Sequence, residues 1–206
     1  MSVVTPPTPG IAKAQRAVFL DRDGTINEDH GYIKKPDDFI MLPGVAAAVR
    51  RLNDADYRTI VVTNQPIIAR GECSVEGLRL IHDKMEMLLG REKAHLDRIY
   101  YCPHYPEKRF PAGISELQIT CDCRKPQAGL LRQAQCDLNI DFSQSWIVGD
   151  STVDIKAGAE VGVRSILVQT GHAGRDGKCI ATPGFIMPDL AAAVDFILKG
   201  TAQKSV

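Results

Sequence analysis

Short apolar runs recur along the chain, and each stops abruptly in polar or glycine-containing sequence. Ala17-Val18-Phe19-Leu20 runs into Asp21-Arg22-Asp23-Gly24, and Arg58-Thr59-Ile60-Val61-Val62 into Thr63-Asn64-Gln65. Trp146-Ile147-Val148 runs into Gly149-Asp150-Ser151; Ser165 to Val168 and the weaker Arg98-Ile99-Tyr100-Tyr101 complete the set. Continuous runs of this length, without alternation, predict strands covered on both faces. Between them, apolar residues return every three or four positions. Val45, Ala48, Val49 and Leu52 do so after Pro43-Gly44, and Leu78, Ile81, Met85 and Leu88 after Ser74, which stands as an N-cap. The same spacing predicts helices over 128–138, 153–161 and 189–198. Strands alternating with helices make an α/β fold with a mainly parallel sheet. Ligands of such sheets collect beyond the carboxyl ends of the strands, where Asp21, Asp23, Thr63 and Asp150 fall.

The chain has 206 residues, enough for one domain with a modest insert. The expected organisation is a loose leader over 1–15, one domain over 16–200 and a tail over 201–206. Hydrophobic residues at 44% and charged ones at 24% exclude a disordered chain, a collagen-like repeat and a coiled coil. Lys and Arg number 25 and Asp and Glu 25, so the formal charge is zero, which argues against a general nucleic-acid binder. No stretch approaches the roughly 20 apolar residues that span a bilayer. The leader, with Pro6, Pro7 and Pro9, lacks the apolar core of a signal peptide, so a cytoplasmic protein is expected, with monomer as the default state.

The polar strand ends carry the chemistry. Asp21 and Asp23 lie two residues apart just past a strand, and Gly24 permits the tight turn that brings backbone close to a ligand. Asp150 ends another strand beside a glycine, with Asp154 about one helical turn later. Clustered carboxylates repel one another unless a cation neutralises them, and an oxygen-rich site of this kind suits Mg²⁺ completed by water and substrate phosphate. Aspartates at strand ends also serve as caps and turns, but two such ends together with Thr63 and Lys125 favour a site.

Six cysteines are present, and three of them gather around a histidine. Cys102-Pro103-His104 and Cys121-Asp122-Cys123 form a C-x-H…C-x-C set, four ligands of the types that hold tetrahedral Zn²⁺. Four protein ligands fill the shell, so the site is expected to be structural. It would order the long irregular stretch from Cys102 to Pro126 and position Arg124 and Lys125. The alternative is a set of reduced thiols in a surface loop.

Taken in order, Asp21-Arg22-Asp23-Gly24-Thr25, Thr63, Lys125 and Gly149-Asp150-Ser151-x-x-Asp154 resemble the four signatures of the haloacid dehalogenase superfamily of phosphatases. The resemblance spans Arg16 to Gly171. It implies a Rossmann-like three-layer fold without a large cap domain and a phosphatase working through an aspartyl-phosphate. Asp21 would be the nucleophile, and Asp23 the general acid and then the base. Thr63 and Lys125 would stabilise the transferring phosphoryl group. Asp21, Asp150 and the backbone carbonyl of Asp23 would hold Mg²⁺. Asp154 reads either as support for the site or as a helix-turn residue.

A narrower resemblance rests on Asp29-His30-Gly31-Tyr32, on Asn64-Gln65 with Ile68-Ala69-Arg70-Gly71, and on Cys102-Pro103-His104…Cys121-Asp122-Cys123-Arg124-Lys125-Pro126. These look like the branch of heptose bisphosphate and histidinol-phosphate phosphatases, enzymes of small phosphorylated substrates in heptose or related metabolism. The resemblance implies that Asp29, His30, Gly31, Tyr32, Asn64, Gln65 and Arg124 contact substrate. Arg70 reads either as a further anion contact or as an arginine with no ligand role. Pro66-Ile67 departs from the branch's usual Ser-Gly, removing a backbone N–H, and Ser151 stands where a lysine is frequent. Both fall on the substrate side of the site. A zinc-ribbon interaction module is the reading of a different class. It predicts a basic surface and aromatic platforms, which neutral charge and 6% aromatic residues do not supply. The glycine-rich loop Gly171 to Lys178 could lie over the site or away from it.

Overall fold

A computed structural model describes residues 13–108 and 110–202. The expected leader up to residue 12 and the tail beyond 202 lie outside the described residues. Gln15, assigned to the leader, exchanges backbone hydrogen bonds with the segment before the fourth strand, donating to Asn139 (2.8 Å) and accepting from Asp141 (2.7 Å).

Six strands form one sheet: β1 (Ala17–Leu20), β2 (Arg58–Asn64), β3 (Arg98–Cys102), β4 (Trp146–Gly149), β5 (Arg164–Val168) and β6 (Phe185–Met187). Their order is β3-β2-β1-β4-β5-β6, and every neighbouring pair is parallel. Five helices connect or follow them: α1 (Val45–Asp54), α2 (Val75–Arg91), α3 (Gly129–Leu138), α4 (Thr152–Glu160) and α5 (Leu190–Ala202).

The continuous apolar runs have the meaning their pattern suggested. In β1, Val18 and Leu20 pack into a core with α1, α2 and α5. Ala17 and Phe19, on the opposite face, pack into a second core with α3 and α4. A strand buried on both sides has no polar face to show, and the three layers follow. Ser74 caps α2 as expected, its hydroxyl accepting from Gly77 N–H at 2.9 Å. Leu78, Ile81 and Met85 are buried on α2 as expected, but in its last turns the buried leucine is Leu89, with Leu88 only partly covered.

The chain leaves β1 toward β2 on one side and later returns to β4 on the other. The order therefore reverses between β1 and β4, and the crevice past their carboxyl ends is where a ligand has room between diverging connections. Asp21 follows β1 and Asp150 follows β4 at that point. One strand had no expectation attached. β6 is three residues long, with Phe185 and Ile186 exposed, and it forms the sheet edge beside β5.

Candidate active site

Asp21, Asp23, Thr63, Lys125 and Asp150 all line a cleft of about 400 Å³ over the β1/β4 switch point. Asp29, Gly31, Tyr32, Asn64 and Ser151 line it too, so most of the expected substrate-side residues are gathered there. His30, Gln65, Arg70 and Arg124 are not in its wall.

Lys125 is 2% exposed, and its Nζ lies 2.9 Å from Asp21 Oδ1 and 2.6 Å from Asp154 Oδ1, while donating to the Val62 carbonyl at 2.7 Å. Burial alone would lower the pKa of this amine; the carboxylates of Asp154 and Asp21 outweigh that and raise it. Asp154, fully buried, also receives the Ser151 N–H at 3.1 Å (Oδ2), so it serves both as an anchor for Lys125 and as the first turn of α4. The two readings of Asp154 are therefore compatible.

Asp21, Asp150 and Asp154 each offer an oxygen within 4.8 Å of the others. Burial, followed by the charges of Asp21 and Asp154, pushes Asp150 up to about 8. Burial and then Asp21 push Asp154 up to about 7. Asp150 is 1% exposed, and its Oδ1 has no hydrogen-bond partner among the described residues. An orphaned buried carboxylate oxygen facing other carboxylates is what a hard divalent cation would satisfy, so the residues fit Mg²⁺. Two glycines make room for the Asp150 carboxylate itself. A Cβ at Gly24 would lie 2.4 Å from Asp150 Oδ2, and one at Gly171 2.3 Å from the same atom, and both residues have positive φ.

Asp23 is held from three directions. Arg22 Nε and Nη2 donate to Oδ1 at 3.0 and 2.8 Å, and Nη2 also reaches Oδ2 at 2.8 Å. Asn27 Nδ2 donates to Oδ1 at 3.0 Å, and Gln65 Nε2 to Oδ2 at 2.9 Å. Gln65 also donates to Thr63 Oγ1 at 2.9 Å. Its amide is thus engaged by the carboxylate and the threonine beneath the cleft. Arg70 stacks on Tyr32, Tyr105 and Phe110, 4.3 to 4.7 Å from each ring centroid. It props Tyr32, which does line the cleft. Arg124 lies 5.2 Å from the Tyr105 centroid and donates to the His104 carbonyl at 3.2 Å. His30 pairs with Glu28 at the surface.

Cys102, His104, Cys121 and Cys123 converge as their spacing suggested. Cys123 Sγ lies 3.1 Å from Cys102 Sγ, 3.3 Å from Cys121 Sγ and 3.2 Å from His104 Nδ1. The sulfur separations are well beyond the roughly 2.05 Å of a disulfide. Burial raises the Cys102 and Cys123 thiols, the latter to about 11. Three sulfurs and an imidazole nitrogen within reach of one point suit Zn²⁺. Lys125 follows two residues after the last of them.

Four residues, three in the cleft wall and one behind it, were not singled out from the sequence. His172 and Lys178 line the cleft from the glycine-rich loop, as does Val153 from α4. His172 N–H donates to Asp150 Oδ2 at 2.6 Å, and its Nε2 lies 3.3 Å from Asp29 Oδ2. The sequence left open whether this loop lies over the site or away from it; the rule that ligands meet strand ends, applied to β5 as well as β1, β2 and β4, favours the placement seen. The fourth, His82, sits beneath Arg22 and had no sequence signal beyond its place on an apolar helix face.

The acidic pair past β1, the buried lysine between Asp21 and Asp154, and the unpartnered Asp150 oxygen suit the neutralisation of charge that phosphoryl transfer needs. The HAD-hydrolase-like family matches residues 122–193. A Haemophilus ducreyi D-glycero-beta-D-manno-heptose-1,7-bisphosphate 7-phosphatase is 48% identical over 161 residues, covering 77% of this chain and 86% of its own. The Escherichia coli protein of that name is 39% identical over 195 residues, covering 94% and 93%. The crystal structure of a D,D-heptose 1,7-bisphosphate phosphatase from B. bronchiseptica, complexed with magnesium and phosphate, superposes with a TM-score of 0.78 at 35% identity, over 90% of this chain and 99% of that one. The chain belongs to the heptose-1,7-bisphosphate 7-phosphatase family of HAD hydrolases. Among the described residues no helix is long and apolar enough to cross a membrane.

Proposed function

We propose that this enzyme removes the 7-phosphate of D-glycero-β-D-manno-heptose 1,7-bisphosphate through an aspartyl-phosphate on Asp21. The observation that carries the chemistry is the buried Lys125 ammonium 2.9 Å from Asp21 Oδ1 at the floor of the cleft. A cation fixed there offsets charge on a phosphoryl group arriving at Asp21, without reorganising as the reaction proceeds. The names of the relatives support the substrate.

Asp21 attacks phosphorus, and Asp23 gives a proton to the departing sugar oxygen. Asp23 then takes a proton from the water that cleaves the acyl phosphate. Thr63, at the end of β2, offers its hydroxyl to the phosphoryl oxygens. Asp21, Asp150 and the Asp23 carbonyl would hold Mg²⁺, which supplies neutralisation of phosphoryl charge when bound. Zn²⁺ on Cys102, His104, Cys121 and Cys123 would keep the loop that ends in Lys125 in place. Asp29, Gly31, Tyr32, Asn64 and Ser151 form the sugar side of the cleft. Lys178 and His172 are the groups in its wall that can meet a second phosphate where Ser151 offers no charge.

The test is phosphate release from both anomers of heptose 1,7-bisphosphate, histidinol phosphate and fructose 1,6-bisphosphate, with the released position assigned by phosphorus NMR. Fast, EDTA-sensitive loss of the 7-phosphate from one heptose anomer is expected. Faster release from histidinol phosphate would overturn the substrate, and release that survives EDTA would overturn the metal requirement.

A further inference from the structure

Arg22 is fully buried and is among the largest side chains with no exposed surface. A buried guanidinium must find partners for its donors or the fold loses the desolvation energy. Nε and Nη2 go to the Asp23 carboxylate, as a two-sided fork. Nη1 points the other way, to His82 Nε2 on α2 at 3.4 Å. Arginine has no acceptor and does not lose its proton, so His82 Nε2 must present a lone pair, and the imidazole is neutral with its proton on Nδ1. Burial, then the neighbouring guanidinium, pushes His82 down to about 4, which agrees with that state. The ring is wedged edge-on against Tyr101, with centroids 6.0 Å apart.

Arg22 is thus fixed at both ends. Its backbone N–H donates to Asp21 Oδ1 at 2.7 Å, while its side chain spans from Asp23 to a helix otherwise remote from the cleft. We infer that His82 is a positioning residue for the reaction, setting through Arg22 the place from which Asp23 delivers its proton to the leaving oxygen. This rests on Asp23 acting as the general acid. His82 touches neither substrate nor reacting atoms. Its Nε2 lone pair stops the guanidinium from turning about its own axis, and the fork then stops the carboxylate from turning about Cβ–Cγ.

A residue that merely packs would slow every substrate alike. One that positions the acid slows only those whose leaving group needs a proton. The sugar phosphate leaves as an alkoxide and needs one, whereas p-nitrophenyl phosphate leaves as a stable phenolate. The experiment compares kcat/KM, which reports formation of the acyl phosphate, for the two substrates in wild type, His82→Leu, His82→Gln and Asp23→Asn. Asp23→Asn should lower the sugar-to-nitrophenyl ratio about 100-fold, the usual worth of a general acid. His82→Leu should lower it about tenfold, as a displaced but present acid. His82→Gln, which keeps an acceptor, should bring it back to within about threefold of wild type. Should His82→Leu not fold, His82→Phe fills the ring volume without an acceptor and replaces it. A ratio unchanged in His82→Leu while Asp23→Asn lowers it would overturn this inference alone. A ratio unchanged in Asp23→Asn would overturn the acid role of Asp23, and the inference with it.

Discussion

Asn64 and Lys125 are tied to each other twice. Asn64 Nδ2 donates to the Lys125 carbonyl at 3.0 Å, and the Lys125 N–H donates to Asn64 Oδ1 at 3.0 Å. The amide at the end of β2 thereby locks the main chain of the lysine from outside, while Val62 and two carboxylates lock its ammonium from inside. Asn64→Ala removes both bonds and leaves a partly buried N–H and C=O to find water. The expected outcome is a fall in kcat on the order of tenfold with zinc content intact, read by steady-state kinetics alongside metal analysis.

The loop that carries Cys102, His104, Cys121 and Cys123 reaches the same lysine from the other side. Cys121→Ser and Cys123→Ser should each lose stoichiometric zinc and lower Tm by on the order of 10 °C. Activity should fall further for Cys123→Ser, the nearer in sequence to Lys125. Thermal unfolding with elemental analysis checks this; a full-activity, zinc-free Cys123→Ser protein would separate the cluster from the site.

Gly24 is required for a reason unrelated to turn propensity alone. Its φ is +79°, and an added Cβ would stand 2.4 Å from an Asp150 oxygen. Gly24→Ala should displace that carboxylate, weaken Mg²⁺ binding and lower kcat/KM about 100-fold or more. Titration of activity against Mg²⁺ reads it, and an unchanged Mg²⁺ midpoint would contradict it.

His82 also makes a prediction about pH. Its native pKa lies near 4, below the 6.5 of an unperturbed histidine, so between those values the unfolded chain binds more protons than the native one. Stability from this group is fully present above pH 6.5 and is lost as pH falls toward 4, by about 3 kcal/mol in all. Urea unfolding across that range should show a shallower decline in His82→Gln than in wild type.

How much of this was legible follows from what each residue has to do. Asp21, Thr63 and Asp150 stood out because each ends a run of residues that can only be a buried strand, and strand ends meet at one edge. The Cys/His set stood out because its ligand types are rare together. β6 was not legible: three residues with two exposed carry no pattern that burial would impose. His82 was hidden because a histidine between Ile81 and Met85 on an apolar helix face looks like core, and only a contact across 60 positions reveals its partner. The amide of Gln65 was expected to face substrate, yet it turns to Asp23 and Thr63; sequence shows where a side chain starts and leaves its direction open. The place of the loop after β5 stayed open in the sequence. Its glycines suggest freedom, but His172 and Gly174 N–H groups both bond to Asp150, and Asp176 accepts from Thr152 at both its N–H and its hydroxyl.

On the proposed mechanism Asp21 becomes covalently phosphorylated in every turnover. The most direct test mixes enzyme in excess with substrate, quenches in acid within one turnover, and maps the peptide containing Asp21 by mass spectrometry. The mass of one phosphoryl group is expected on Asp21, appearing and decaying within the turnover and never formed in Asp21→Asn. Phosphate release at full rate with Asp21 unmodified at every time point, or turnover retained by Asp21→Asn, would contradict it.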